Sequence, residues 1–165
     1  MRRTLVILFG ILIFVVTHYA IYSRERLLTD ADVVLLRLAP VDPRSLMQGD
    51  YMRLRFEVAT TLRRALGEKD VADGRVVLAV DADGVGTYSR IDDGDALGAD
   101  ERRMRFRLRD GGVRFGTNAF FFEEGTAAVY ARARYGEFRV DSGGAAILTH
   151  LRGEDLQRLG PAPTG

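Results

Sequence analysis

Cysteine is absent, histidine occurs twice, lysine once, and charge of neither sign is in excess. Each shortage excludes something. Without cysteine there is no disulfide framework, no thiol nucleophile and no thiolate metal site, and either redox compartment is compatible with that. His18 and His150 cannot build a histidine-rich metal centre. The acidic cluster of Asp81, Asp83, Asp92, Asp93 and Asp95 lacks the glutamate-terminated loop of a calcium motif, so these residues read as turn formers. Neither a metal nor a cofactor is expected. The net charge is +1, and removing Arg2 and Arg3 from the 24 basic residues leaves 22 against 23 acidic ones, or −1. That balance gives no electrostatic reason to expect a nucleic-acid partner. What is present is 165 residues, 47% hydrophobic and 28% charged, which fits one ordered domain with an appendage.

The appendage is N-terminal. Arg2 and Arg3 precede an uncharged run from Leu5 to Tyr22, interrupted by Gly10, Thr17 and His18. As a helix it would span roughly 27 Å, close to the hydrocarbon thickness of a bilayer. A cleaved signal peptide is the rival reading, with Leu5 to Val16 as its apolar region. The following T-H-Y-A-I-Y-S offers no small-x-small cleavage site, because His18 stands two residues before Ala20 and Ile21 two before Ser23. The expectation is therefore a membrane anchor over residues 1–22, a juxtamembrane helix extension over 23–30, a β-rich domain over 31–152 and a flexible tail over 153–165. A cytoplasmic N-terminus would leave the domain extracytoplasmic, although Arg24 and Arg26 flank the far end as well. His18 reads as a neutral imidazole at the membrane interface.

The most patterned stretch is Gly49 to Glu57, G-D-Y-M-R-L-R-F-E, with its run-in P-V-D-P-R-S-L-M-Q from Pro40 to Gln48. Turn residues feed into an alternation that puts Met52, Leu54, Phe56 and Val58 on one face. Tyr51, Arg53, Arg55 and Glu57 fall on the other, the pattern of a half-buried strand. Before it, Asp32 to Leu38 reads as a short apolar strand stopped by Pro40 and Pro43. After it, V-A-T-T-L-R-R-A-L predicts a short helix with Arg63 and Arg64 in its last turn and Gly67 as its cap.

Four Asp-Gly dipeptides mark the middle of the chain: Asp73-Gly74, Asp83-Gly84, Asp93-Gly94 and Asp110-Gly111. Between alternating apolar runs such a pair is a hairpin signal, because both residues tolerate positive φ. Arg75 to Val80 should pair with Val85 to Arg90. Glu101 to Arg109 should turn at Asp110-Gly111-Gly112 into Val113 to Phe115, with Met104, Phe106 and Leu108 inward. Its outward Arg103, Arg105, Arg107 and Arg109 read as a solvated face paired with acidic neighbours rather than a nucleic-acid or anionic-lipid surface. Glu123 to Tyr135 has acidic residues at its start, alanines inside, arginines at its end and Gly136 beyond, which predicts a helix. Glu137 to Asp141 and Ala145 to Leu151 predict a closing hairpin around Ser142-Gly143-Gly144. The fold class expected is α+β: a mainly antiparallel β domain with one clear and one short helix, preceded by a transmembrane helix.

Acid and base catalysis needs two carboxyls held at a fixed separation in different environments. Asp50, Glu57, Glu123, Glu124 and Asp141 are available, but their spacing brings no two together, and turn formation, ion pairing and helix starts account for them. No catalytic residue is assigned. The layout of an anchor, a β domain and a Ser-containing loop is similar to that of membrane signal peptidases, with Ser45 as nucleophile. Lys69, the base that layout would need, lies between Glu68 and Asp70, which favour its charged form. The methionine and proline pattern that follows the serine in that family is missing too.

G-D-Y-M-R-L-R-F-E resembles the signature of the GDYXXLXY family of small membrane-anchored proteins of uncharacterised function. Gly49, Asp50, Tyr51 and Leu54 match position by position, and Phe56 stands where the family has tyrosine. The P-V-D-P-R run-in, the E-E-G-T-A stretch, Y-G-E-F-R-V-D and G-G-A-A-I-L resemble it as well. The resemblance implies a bacterial envelope setting at the inner membrane and a multispanning membrane protein as companion. The function expected is a binding or assembly module, anchored by its N-terminal helix, whose contact residues are Asp42, Arg44, Gly49, Asp50, Tyr51, Arg53, Arg55 and Glu57. A hydrolase using Ser45 or carboxylates is the alternative.

Overall fold

The computed structural model describes residues 9–19, 31–40, 47–48, 51–67 and 71–160. Among them the chain is mainly antiparallel β, in three sheets around one core. The first sheet runs β1 (Asp32–Arg37), β9 (Tyr135–Val140), β10 (Ala146–Arg152), β11 (Arg158–Leu159). The second runs β2 (Met47–Gln48), β3 (Tyr51–Arg53), β8 (Ala119–Phe121), and the third β5 (Gly86–Ile91), β4 (Asp73–Val80), β6 (Glu101–Arg109), β7 (Gly112–Arg114). A parallel bridge between Leu35 and Val85, with the Leu35 N–H donating to the Gly84 carbonyl at 2.8 Å, joins the first sheet to the third. Period-two apolar positions supply the core: Val34 and Leu36 of β1, Phe138 and Val140 of β9, Val76 and Leu78 of β4, Met104 and Phe106 of β6.

Turn chemistry accounts for much of this order. Asp110 and Gly111 form the two-residue connection from β6 to β7 with φ of 52° and 72°, as a type I′ turn requires. Between β4 and β5, Asp81 Oδ1 accepts the N–H groups of Asp83 and Val85 at 3.0 and 2.8 Å. Asp73-Gly74 is no turn but the start of β4. A Cβ on Gly74 would lie 2.7 Å from the Phe106 ring, so this glycine serves close packing.

The helices differ from expectation. Helix α1 occupies residues 9–19, all of them exposed. Among the described residues no helix is long and apolar enough to cross a membrane, which overturns the transmembrane helix expected over Leu5 to Tyr22. At its described length α1 reaches about 16 Å, roughly half of the hydrocarbon layer; residues 1–8 and 20–30, including the juxtamembrane extension, lie outside the described residues. Helix α2 (Glu57–Leu66) buries Val58, Leu62 and Leu66 and ends at Gly67, φ 57°, whose N–H reaches the Arg64 carbonyl. It is the longer of the two helices in the β domain.

The helix expected over Glu123 to Tyr135 shrinks to α3 (Ala127–Tyr130). Gly125 takes φ 84° and breaks the run. At the other end Arg134 is already in the sheet: its N–H donates to the Arg152 carbonyl and its carbonyl accepts the Leu38 N–H. Ladder pairing wins over helix propensity there. Nor does the chain fray after Arg152, since β11 pairs Leu151 with Leu159. Residues 161–165 lie outside the described residues.

Candidate functional site

Residues 51–58 keep their alternation while changing partners. Tyr51 to Arg53 pair with β8, the Leu54 N–H donates to the Asn118 carbonyl at 2.7 Å, and Phe56 bridges Leu38. Phe56 then serves as N-cap of α2. The segment expected as one strand is thus a short strand, a crossing and a helix start that carry the chain from the second sheet to the first. Met52, Leu54 and Phe56 are buried and anchor the crossing. Arg53, Arg55 and Glu57 are left exposed on its other side.

These three side chains line a cleft of about 390 Å³. Its rim carries Arg37 from the end of β1, Arg53, Arg55, Glu57, Arg134 and Glu154; its apolar floor includes Leu38, Met52, Leu54, Tyr130 and Ala133. Tyr130 closes the back of the cleft in an aromatic cluster, its ring 5.1 Å from Phe120 and 5.3 Å from Phe122. Burial, and then the charge of Glu123, push the Tyr130 phenol above its ordinary pKa, so it stays protonated and neutral. Arg37 is fixed from below. Its Nη2 donates to the Tyr135 hydroxyl at 2.7 Å and its guanidinium lies 5.2 Å from that ring centre. The hydrogen bond to Tyr135 raises the Arg37 pKa further, so it is charged at any working pH. Arg134 Nε approaches Glu154 Oε2 at 3.4 Å, an exposed pair. Among the described residues the guanidinium groups of Arg53 and Arg55 make neither a hydrogen bond nor an ion pair.

Other arginines are committed elsewhere. Arg103 chelates Asp92 through Nε at 2.7 Å and Nη2 at 3.1 Å, and Arg75 Nε reaches the same carboxylate at 2.7 Å. Arg107 and Arg109 approach Asp73 at 3.9 and 3.7 Å, and Arg105 donates to the Gly143 carbonyl. The arginine-faced strand is therefore largely matched within the fold.

The third grouping surrounds Glu137, which has no exposed surface. Arg152 Nε donates to its Oε2 at 2.7 Å, while Arg158 donates through Nε at 2.9 Å and Nη2 at 2.7 Å. Burial pulls the Glu137 pKa up, but the hydrogen bonds and charges of Arg158 and Arg152 together outweigh it and hold the group below the ordinary glutamate range. His150 Nδ1 lies 3.7 Å from Glu137 Oε1 and, among the described residues, has no hydrogen-bond partner. Burial and the neighbouring Arg158 lower its pKa, so the imidazole is neutral at physiological pH. This grouping ties β11 to β9 and β10 and is absent from the cleft lining.

Of the eight contact residues expected from the sequence, Arg53, Arg55 and Glu57 come together in the cleft. Tyr51 instead faces Phe121 across the second sheet, ring centres 5.8 Å apart. Asp42, Arg44, Gly49 and Asp50 lie outside the described residues, as do Ser45 and Lys69. Asp141 is taken up by the β9–β10 turn, where Oδ1 accepts the Ala145 N–H at 2.8 Å. Glu123 and Glu124 are exposed and do not line the cleft. His18 stacks on Phe14 in α1, ring centres 5.4 Å apart. Among the described residues no three His, Asp or Glu side chains are placed to hold a metal ion. Sequence reasoning missed Arg37, Tyr130, Arg134 and Glu154. Arg37 alone carried a signal, as the polar end of an apolar strand ahead of the motif.

A family model described as GDYXXLXY protein matches residues 13–151. No curated protein and no solved structure matches the chain.

Proposed function

The chain belongs to the GDYXXLXY family, and on that premise we propose that it is a binding or assembly module of the bacterial cell envelope. In this reading it works on the outer side of the inner membrane as an accessory to an integral membrane protein. The contact surface is the cleft beside the family motif. The observation that carries the reading is that the motif seats Met52, Leu54 and Phe56 in the core while holding Arg53 and Arg55 exposed and unpaired among the described residues. Guanidinium groups left without an internal partner on a rigid support are suited to contact with another molecule.

The test is crosslinking and co-purification from native membranes. Arg53→Ala with Arg55→Ala should reduce recovery of the membrane partner at least about tenfold, the effect of losing one or two charge-assisted contacts. The variant's thermal midpoint should match that of the parent protein, because both side chains are exposed. Undiminished recovery would sink the reading. So would hydrolytic activity of the purified protein that disappears in Ser45→Ala or Glu57→Gln.

A further inference from the structure

The cleft has a charge imbalance that the chain as a whole does not. Arg37, Arg53, Arg55 and Arg134 face Glu57 and Glu154 around its rim, an excess of two positive charges, on a protein whose net charge is +1. The floor beneath them is apolar, with Met52, Leu54 and Tyr130 each buried. We propose that this cleft binds a phosphate monoester carried on an apolar body. The proposal rests on the reading of the cleft as the binding surface and names the class of ligand it takes.

Three features select that chemistry. A phosphate monoester carries close to two negative charges at neutral pH, matching the excess on the rim, whereas a carboxylate carries one. Arginine presents a planar fork of donors that suits phosphate oxygens, and its weak hydration lowers the cost of contact. Arg37 is held by the Tyr135 hydroxyl at 2.7 Å, so its orientation is set before any ligand arrives, which lowers the entropy lost on binding. The Leu38, Leu54 and Ala133 surface then accepts the apolar portion next to the charged group. A membrane lipid headgroup and a freely diffusing phosphorylated amphiphile share this chemistry.

The full chain is titrated calorimetrically with inorganic phosphate, with short-chain phosphatidic acid below its micelle concentration, and with vesicles of phosphatidylcholine with and without phosphatidic acid. Saturable binding of the short-chain phosphatidic acid is expected, at least about tenfold tighter than inorganic phosphate, since the apolar body adds buried area. Arg53→Gln with Arg55→Gln should weaken it roughly tenfold or more, and Glu57→Gln should strengthen it a few-fold by removing a like charge. The opposite directions of these two changes separate a binding effect from a folding effect. Binding to the monomer and to phosphatidic acid vesicles identifies the lipid headgroup as source; binding to the monomer alone identifies a free amphiphile.

No saturable binding, equal affinity for inorganic phosphate, or unchanged affinity in both variants overturns the proposal. The same variants in the crosslinking experiment keep the two readings apart. Loss of the partner without phosphate binding in the parent protein overturns the ligand class and leaves the partner surface standing. Loss of phosphate binding with the partner retained does the reverse.

Discussion

Glu137 shows what a single buried charge does to this fold. Its carboxylate takes donors from Arg152 and Arg158 and has no contact with water, whereas the side chains of those arginines are 22% and 46% exposed. Glu137→Ala therefore strands one guanidinium more than the other: Arg158 can turn outward and hydrate, while Arg152, also donating to the Leu156 carbonyl at 2.8 Å, has less freedom. Breaking a buried pair from one side costs about 3–5 kcal/mol, and the escape of Arg158 places the expected loss near the lower end. Urea unfolding of the variant checks it; a change below about 1 kcal/mol, the range of exposed pairs, would show that the network contributes little. Nothing local marks this residue for burial. Glu137 lies between apolar neighbours in Y-G-E-F, but Arg158 is 21 positions away, and no local pattern links them.

At the scale of elements, Gly136 explains why the motif and the Y-G-E-F segment belong together. A Cβ at Gly136 would fall 2.9 Å from Phe56 Cε1 and 3.0 Å from Leu148 Cδ1, so the missing side chain is what lets the motif's phenylalanine lie against β9. Phe56 also meets Phe138 edge-on, ring centres 5.3 Å apart. Gly136→Ala should destabilise the protein by about 1–3 kcal/mol, the usual cost of overpacking a filled core, with a matching fall in the denaturation midpoint; an unchanged midpoint would mean that Phe56 has room to move. The elements that the sequence made legible are those whose information is local. Alternation in residues 51–58 and 101–109, Asp110-Gly111 and the cap at Gly67 each depend on neighbours within a few positions. Residues 123–135 failed for the opposite reason: helical charge order is present, but Arg134 and Tyr135 are claimed by β1 and β10, which lie 98 residues before and 17 after Tyr135 at Arg37 and Arg152. The cleft was half legible on the same ground. Arg53, Arg55 and Glu57 follow from periodicity, whereas Arg37, Arg134 and Glu154 reach it only through sheet pairing.

At the scale of the whole molecule, Asp92, Glu137 and His150 each make stability depend on pH in the same direction. Hydrogen bonds from Arg103, together with Arg75 and the Gly94 N–H, outweigh burial and hold Asp92 below its ordinary pKa, as the arginines do for Glu137. A carboxylate depressed in the folded state contributes stability that is complete above its unfolded pKa, near 4, and is lost as pH falls through the folded value. His150 is depressed as well, by burial first and then by Arg158. Its neutral form is the folded one, so its contribution is complete above about pH 6.5 and declines as acid protonates the unfolded chain. Stability should thus be level just above neutral pH, fall modestly below about pH 6.5 through His150, and fall steeply below about pH 4.5 through Glu137 and Asp92. His150→Gln should flatten the first stage and leave the second. The two carboxylates of the second stage differ in place: Glu137 secures Arg158 of β11, whereas Asp92 secures β4 and β6 through Arg75 and Arg103. Amide exchange followed from pH 7 to pH 4 should show the Leu151–Leu159 pairing opening before the β4–β6 ladder, since β11 is two residues long and has little else holding it. Simultaneous opening of both would refute the idea that the Glu137 grouping is the local fastening of the C-terminal strand, and a stability that rises on acidification would contradict the sign assigned to all three groups.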